Sequence, residues 1–492
     1  MIDLPPQLRR VLSTTPALSE AYLVGGCVRD ALLGLPVKDV DVEVYGLTLA
    51  ELEEALRPHG RVDAVGRSFG VLKFSCDGQQ HDFSVPRRDS KSGRGHRGFE
   101  VQLDPSIPPR EASARRDFTL NAMMLHVASG ELFDFFGGRE DLRARILRHT
   151  SEAFTEDPLR VLRGMQFAAR FDLTPAPETI DLSRTILSGY AELPVERVRE
   201  EWMKWALRSV RPSRGLAFLL ASGWLDHFPE LAAMVGVPQD PEWHPEGDVF
   251  THTCHCLDAL VSLPEWIDAP PATRVVLSLA TLVHDTGKAT RTFTEIRDGR
   301  PRITSPGHEG ESVRLGSAFL TRIGISPSVV QHVTPLVANH MAHFEEPTDR
   351  AVRRLARRLA PANVQHLATL MTADSMGRPP RPCRIPDSVE RLLRVASALA
   401  VTENAPKPLL RGRHLLRLGM EHGPVVGHWT HLAFEAQLDG AFHTLQEAHQ
   451  WLSRHPDFPG ALRPAAAAFR ESPPDEAHAT PAHSSAEPAQ PA

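Results

Sequence analysis

The chain has 492 residues, a formal net charge of −6, 41% hydrophobic and 24% charged residues. That length exceeds one ordinary core and predicts three or four domains, and no apolar run is long enough to cross a bilayer. Net acidity excludes a general polyanion binder, because phosphate neutralisation dominates non-specific nucleic-acid affinity; any RNA contact must come from local arginine patches. The first thirteen residues lack the apolar stretch of a secretory signal. Cys27, Cys76, Cys254, Cys256 and Cys383 make neither a CxxC pair nor an even framework. A cytoplasmic protein with reduced thiols is the expectation.

In chain order, short strand-like runs occupy the first 150 residues, at 21–24, 40–45, 71–75 and 81–85. From Asp157 to Trp451 the periodicity is helical, with proline-rich breaks at 237–245 and 379–386. From Glu471 the chain is Pro, Ala, Ser and His without periodicity and reads as a disordered tail. The expected class is α+β: a mixed-sheet head over 1–150 followed by an all-α body. The body divides into a neck at 151–236, a helical domain at 237–380 and a C-terminal helical domain at 381–470, with the tail at 471–492.

Four segments of the head and neck carry chemistry. Gly25-Gly26-Cys27-Val28-Arg29-Asp30 sits between a strand and a short apolar helix; paired glycines let backbone approach a phosphate, and Arg29 can fork onto its oxygens. Lys38-Asp39-Val40-Asp41-Val42-Glu43-Val44 alternates strictly, so Asp39, Asp41 and Glu43 share one strand face. Adjacent carboxylates repel, and Mg²⁺ held by one or two carboxylates plus substrate phosphates is the usual relief. A solvated acidic face is the plain alternative. Asp82, in the strand at 81–85, joins the pair if the strands are neighbours. Arg115-Arg116-Asp117-Phe118-Thr119-Leu120-Asn121-Ala122 follows, then Glu156-Asp157-Pro158-Leu159-Arg160-Val161-Leu162-Arg163. Asp157 and Arg160, three apart, are expected on one helix face, either as an ordinary ion pair or as a reader of a base edge without a template.

Read together, GGCVRDALLG, KDVDVEVYG, RRDFTLNAM and EDPLRVLRGMQFAARF resemble the class II tRNA nucleotidyltransferase and bacterial poly(A) polymerase family. The resemblance covers residues 20 to 235 and implies a polymerase-β-like nucleotidyltransferase head. It implies that Asp39 and Asp41 hold catalytic Mg²⁺ with Asp82 beside them, and that Gly26, Arg29 and Arg116 contact the nucleotide's phosphates and sugar. Asp117 and Asn121 fall in the same nucleotide-binding motif. Asp157 and Arg160, supported by Arg163, would select the base. Close relatives of the CCA-adding type carry a further Arg where this chain has Gln166, which retains hydrogen bonding but not charge. The implied partners are the tRNA 3′ end, CTP and ATP.

Between 237 and 377 histidines are dense. His252, the His284-Asp285 pair, His308, His340 and Asp374 follow the ligand order of the HD phosphohydrolase superfamily, which they resemble, and the run from Trp243 to His252 is similar to the entry of the HD domain in proteobacterial CCA-adding enzymes. By that resemblance His252, His284, Asp285 and Asp374 are ligands, with His308 and His340 added in a dinuclear site. Ni²⁺, Co²⁺ or Mn²⁺ suits such donors, and the implied activity is a phosphatase or 2′,3′-cyclic phosphodiesterase. Cys254 and Cys256 are two apart on a helix, which splays their thiols, so they are not read as a zinc pair.

Arginines at 143, 145 and 148, at 197, 199, 208, 211 and 214, and at 353, 354, 357 and 358 are candidate phosphate contacts, the last group being read first as a solvated face. Three alternatives stay open: a poly(A) polymerase, an enzyme adding only CC or only A, and an HD phosphohydrolase whose head merely binds nucleotide. The segment 88–99, rich in Gly, Ser and Arg, is a candidate for the loop that switches a full CCA enzyme from C to A.

Overall fold

A computed structural model of the chain describes residues 2–37, 39–66, 70–91, 99–342 and 345–470. The tail from Glu471 and the middle of the 88–99 segment lie outside these residues. The backbone divides into two compact units, Met1–His343 with His366–Glu390, and Phe344–Gln365 with Arg391–Ala492.

The first unit opens on the head. Its strands are β1 (Ala21–Val24), β2 (Asp41–Val44), β3 (Arg61–Gly66), β4 (Val71–Cys76), β5 (Gln79–Ser84), β6 (Arg87–Lys91), β7 (Phe99–Leu103), β8 (Met124–His126) and β9 (Leu132–Phe133). Seven of them form one sheet in the order β3-β4-β5-β2-β1-β8-β9, while β6 and β7 pair separately. The pairing of β2 with β5 is parallel and the sheet's other pairings are antiparallel, so the expected mixed sheet is present. Alternation does the work in β2: Val42 and Val44 are fully buried, while Asp41 and Glu43 are half-buried on the opposite face. Asp39 and Val40 precede the strand, so the alternating segment contributes fewer strand residues than its pattern predicts.

The helices that position function are α1 (Gly26–Leu32), α2 (Leu159–Phe171), α3 (Val195–Arg208), α4 (Pro212–Ala221), α5 (Val249–Leu260), α6 (Pro271–Val283), α7 (His308–Arg322), α8 (Pro327–Asn339) and α9 (Val364–Met376). Helices α2 and α4 cross closely: a Cβ on Gly215 would stand 2.5 Å from the Met165 carbonyl oxygen. The neck is tied to the later helices by aromatic packing. Trp202 on α3 is fully buried, with ring centroids 5.4 Å from Trp205, 5.1 Å from Phe228 and 5.4 Å from Phe319 on α7; such edge-on pairs add roughly 0.5–1.5 kcal/mol beyond their buried area. The helical body also contains a hairpin, Phe293–Arg297 with Arg300–Thr304, where helix was expected.

The second unit packs around Trp429, Phe442, Leu452 and Phe458. The arginine run at 353–358 is an ion-pair seam within it. Arg354 reaches Glu435 at 3.1 Å and Asp439 at 2.8 Å, and Arg357 pairs with Glu435.

Candidate active site and candidate metal centre

The head and neck enclose a cavity of about 680 Å³, a size typical of small-ligand sites. Ten of its lining residues are Arg or Lys and five are Asp or Glu, so a locally basic site sits in an acidic chain. Asp41 and Asp82 face each other in the β2–β5 register. Burial raises the Asp41 carboxyl, the neighbouring Asp82 raises it further, Arg116 opposes the shift, and Asp39 adds to it. Asp39 itself is exposed and is not among the cavity-lining residues. Mutually repelling carboxylates beside a basic cavity are the donor set that a hard divalent cation with substrate phosphates would satisfy.

Gly25 connects β1 to α1 at φ +72°, a conformation that favours glycine, and a Cβ there would approach Arg116 Nη1 to 3.2 Å. The constrained glycine is thus Gly25; Gly26 begins α1. Arg116 is held by Glu43 at 3.1 Å. Arg29 is 4% exposed: its Nε donates to Asp30 at 2.8 Å, its Nη1 donates to Asn121 at 2.6 Å, and its guanidinium lies 4.6 Å over the Phe171 ring. Asn121 donates in turn to Asp117 at 2.9 Å, and Asp117 accepts from Arg163 Nε at 2.8 Å. Burial alone would raise the Asp117 carboxyl, but Arg163, Asn121 and the Phe118 N–H outweigh it and hold it below the usual range. Residues from α1, the 115–121 segment and α2 thereby form one hydrogen-bonded chain along the cavity wall.

The Asp157–Arg160 expectation changes in detail. Asp157 lies before α2 with extended backbone, so the two do not share a helix face. A residue preceding proline is disfavoured in helical conformation, and Pro158 follows. Asp157 Oδ1 accepts from the Leu159 N–H at 3.0 Å and its Oδ2 accepts from Arg197 at 2.9 Å. Arg160 donates to the carbonyls of Ala153 at 2.6 Å and Arg115 at 2.7 Å. Both still line the cavity. Gln166, 2% exposed, lines it too, and Arg170 one turn on is pushed down to about 10 by burial and by Arg29.

A second constellation lies among α5 to α9. Four histidines are each anchored through Nδ1, leaving Nε2 to face a shared interior. His252 Nδ1 is 2.7 Å from Glu246, and the Nδ1 atoms of His284, His308 and His340 each lie 2.7 Å from a backbone carbonyl, those of Thr281, Ser305 and Val337. Asp285 stands between two groups: Oδ2 is 3.4 Å from His284 Nε2 and 3.7 Å from His252 Nε2, while Oδ1 is 3.2 Å from His308 and 3.6 Å from His340. Asp374 meets His252 Nε2 at 3.0 Å. Lys288 at Asp285 (2.7 Å) and Arg378 at Asp374 (2.8 Å) supply countercharge. Burial lowers His284 to about 4, so it is neutral and able to ligate. Among the described residues, three groups could hold a metal: His252, Cys256, His284 and Asp374; Asp285, His308 and His340; and His244, Glu246 and His252.

Residues 21–148 match the family model of the poly A polymerase head domain. A protein of Acidovorax sp. (strain JS42) called multifunctional CCA protein is 36% identical over 449 residues, covering 87% of this chain and 98% of its own. The chain belongs to the CCA-adding enzyme family. Two solved CCA-adding enzymes share the fold across 91% of this chain: one in complex with CTP (TM-score 0.58, 19% identity, 95% of its length), and one from Thermotoga maritima in complex with tRNA (TM-score 0.56, 19% identity, 96% of its length).

Within this CCA-family chain, the structure gathers Gly26, Arg29, Asp41, Asp82, Arg116, Asp117, Asn121, Asp157, Arg160 and Arg163 around one cavity. All six expected helical ligands fall in the histidine-rich cluster. The sequence placed Gly25 in a glycine pair and Arg197 among phosphate contacts, set Cys256 aside with Cys254, and gave Glu246 no role. Cys254 is in none of the metal-competent groups, whereas Cys256 lies four residues after His252 on α5, one turn along the same face. That spacing was the signal available. No helix among the described residues is long and apolar enough to cross a membrane.

Proposed function

We propose that this chain adds CMP and AMP, without a template, to the 3′ end of tRNA. The observation that carries the reading is the opposition of Asp41 and Asp82 at the rim of a basic cavity in a chain of this family. Asp39, Asp41 and Asp82 would hold Mg²⁺, which when bound activates the 3′-hydroxyl and offsets charge on the departing pyrophosphate. The reaction is in-line attack of that hydroxyl on the α-phosphate. Arg116, steadied by Glu43, presents cationic N–H groups at the glycine turn where backbone can approach a phosphate. The Arg29–Asn121–Asp117–Arg163 chain keeps the nucleotide wall in one arrangement, and Asp157, fixed by Arg197, offers a carboxylate to a base amine. A cytoplasmic location accords with such a substrate.

The test uses tRNA ending at the discriminator base, at C and at CC, with CTP and ATP supplied separately and together. Addition of two C and then one A identifies a full CCA enzyme. A long A tract identifies a poly(A) polymerase, and arrest after CC, or addition of A alone, identifies a partial enzyme.

A second activity is favoured by the carboxylate of Asp285 lying between two groups of imidazoles. We read residues 237–380 as an HD domain with a dinuclear centre for Ni²⁺, Co²⁺ or Mn²⁺, held by His252, His284, Asp285, His308, His340 and Asp374. The imidazoles, anchored through Nδ1 with Nε2 directed inward, fit a transition metal. The proposed chemistry is phosphate-ester or 2′,3′-cyclic phosphate hydrolysis at damaged RNA ends. Release of phosphate from a 2′,3′-cyclic nucleotide with one of these ions supports it; silence with all three leaves a metal-binding scaffold.

A further inference from the structure

We propose that Cys256 is a thiolate ligand in this second centre, joining His252, His284 and Asp374 at its first position, beside the shared Asp285 carboxylate, so that this position takes a thiophilic cation, Zn²⁺ or Co²⁺. The inference rests on the reading of the histidine cluster as a metal centre and adds to it a donor outside the H…HD…H…H…D pattern.

Four observations converge. The Cys256 sulfur is 3.3 Å from His252 Nε2, the nitrogen left facing inward once Glu246 takes Nδ1. His284 Nε2 is fully buried and has no hydrogen-bond partner, while its Nδ1 is fixed by the Thr281 carbonyl. Donor atoms of all four residues lie within 4.8 Å of one another; a tetrahedral ion with N at ~2.0 Å and S at ~2.3 Å holds its donors roughly 3.3–3.8 Å apart. Room for the sulfur is built into α9's end, because a Cβ on Gly377 would stand 2.4 Å from it.

A buried cysteine is ordinarily a small apolar filler. Here the sulfur faces inward-directed imidazole nitrogens instead of hydrocarbon. On binding, the thiol gives its proton to solvent and the sulfur lone pair to the ion. A sulfur donor shifts preference toward Zn²⁺ and Co²⁺ and away from Mg²⁺ and Mn²⁺, whereas the neighbouring Asp285, His308, His340 group offers only nitrogen and oxygen. The two positions of the centre therefore differ in metal preference.

Metal-free full-length protein titrated with Co²⁺ tests this by absorption. The expected result is cobalt d–d bands in the visible together with a sulfur-to-cobalt charge-transfer band in the near ultraviolet. Cys256→Ser loses the charge-transfer band and keeps cobalt d–d bands, while Cys254→Ser keeps both. Cobalt d–d bands without charge transfer in the unaltered protein, or a charge-transfer band that survives Cys256→Ser, overturn the proposal and leave the metal centre standing. Absence of any bound cobalt, by absorption and by elemental analysis, overturns both. Should Cys256→Ser not fold, X-ray absorption on zinc-loaded unaltered protein decides: one sulfur at ~2.3 Å supports the ligand, and an all-nitrogen-and-oxygen shell removes it.

Discussion

Asp41 and Asp82 oppose each other in parallel register, and that pairing makes the head's carboxylates a repelling cluster at neutral pH. Asp82 is 44% exposed, paired with Lys73 at 3.6 Å, and buries little apolar surface. Asp82→Asn should therefore leave thermal stability within about 0.5 kcal/mol of the original. Nucleotide transfer should fall at least ~100-fold, because a carboxylate that would hold Mg²⁺ beside the reacting phosphates is lost. Labelled CMP incorporation and a melting curve on the same preparation measure both. Full activity would remove Asp82 from the site.

Arg197 holds one oxygen of Asp157. Arg197→Ala should leave addition itself working but let Asp157 rotate, eroding discrimination by roughly 1–3 kcal/mol, or ~5–150-fold. Misincorporation of UMP and GMP, relative to CMP and AMP, is the readout. Unchanged fidelity would mean that Arg197 does not set the position from which Asp157 selects.

Asp117 is buried against Arg163, with its folded carboxyl held below the ordinary range. An acid with a depressed folded value stabilises the fold above its unfolded value of about 3.9, and that contribution is lost as pH falls from there through the folded value. Asp117→Asn should cost about 1–3 kcal/mol at neutral pH, since Arg163, about a third exposed, loses its carboxylate partner. The difference from the unaltered protein should hold down to about pH 5 and shrink below about pH 4. Urea unfolding across that range checks the sign; a gap that widens in acid contradicts the ion pair.

Trp202 is enclosed by Trp205, Phe228 and Phe319. Trp202→Ala should cost about 3–5 kcal/mol by leaving a cavity where the neck meets the later helices. Calorimetry should show a lowered transition for that part of the molecule. A loss below about 1 kcal/mol would show that this packing does not hold the two regions together.

Asp285 lies between the two imidazole groups, whereas His308 serves one. Asp285→Asn should lower the bound transition metal at both positions of the centre, and His308→Ala at only one. Elemental analysis after dialysis against Co²⁺ separates these; equal losses would deny Asp285 its bridging place.

Much of this was legible because local periodicity is strong where the sheet is amphipathic. Val42 and Val44 against Asp41 and Glu43 announce β2, and β1 spans the expected residues 21–24 although all four are buried. Other features were written in the sequence but outweighed by the helical pattern. Pro158 disfavours helix at Asp157, and Asp298-Gly299, both at positive φ, form the turn of the hairpin at 293–304. His252 and Cys256, one helical turn apart, were legible as a pair, yet comparing Cys256 with Cys254 hid it. What no local pattern carries is the engagement of Arg160 with the carbonyls of Ala153 and Arg115, or of Arg197 with Asp157, since those depend on segments brought together by the fold.

The most direct test of the central claim compares the unaltered protein with Asp41→Ala on tRNA ending at the discriminator base, supplied with CTP, ATP and Mg²⁺. The unaltered chain should extend the tRNA by C, C and A, and Asp41→Ala should add nothing while melting at an undiminished temperature. Extension by the variant at the original rate would contradict the account.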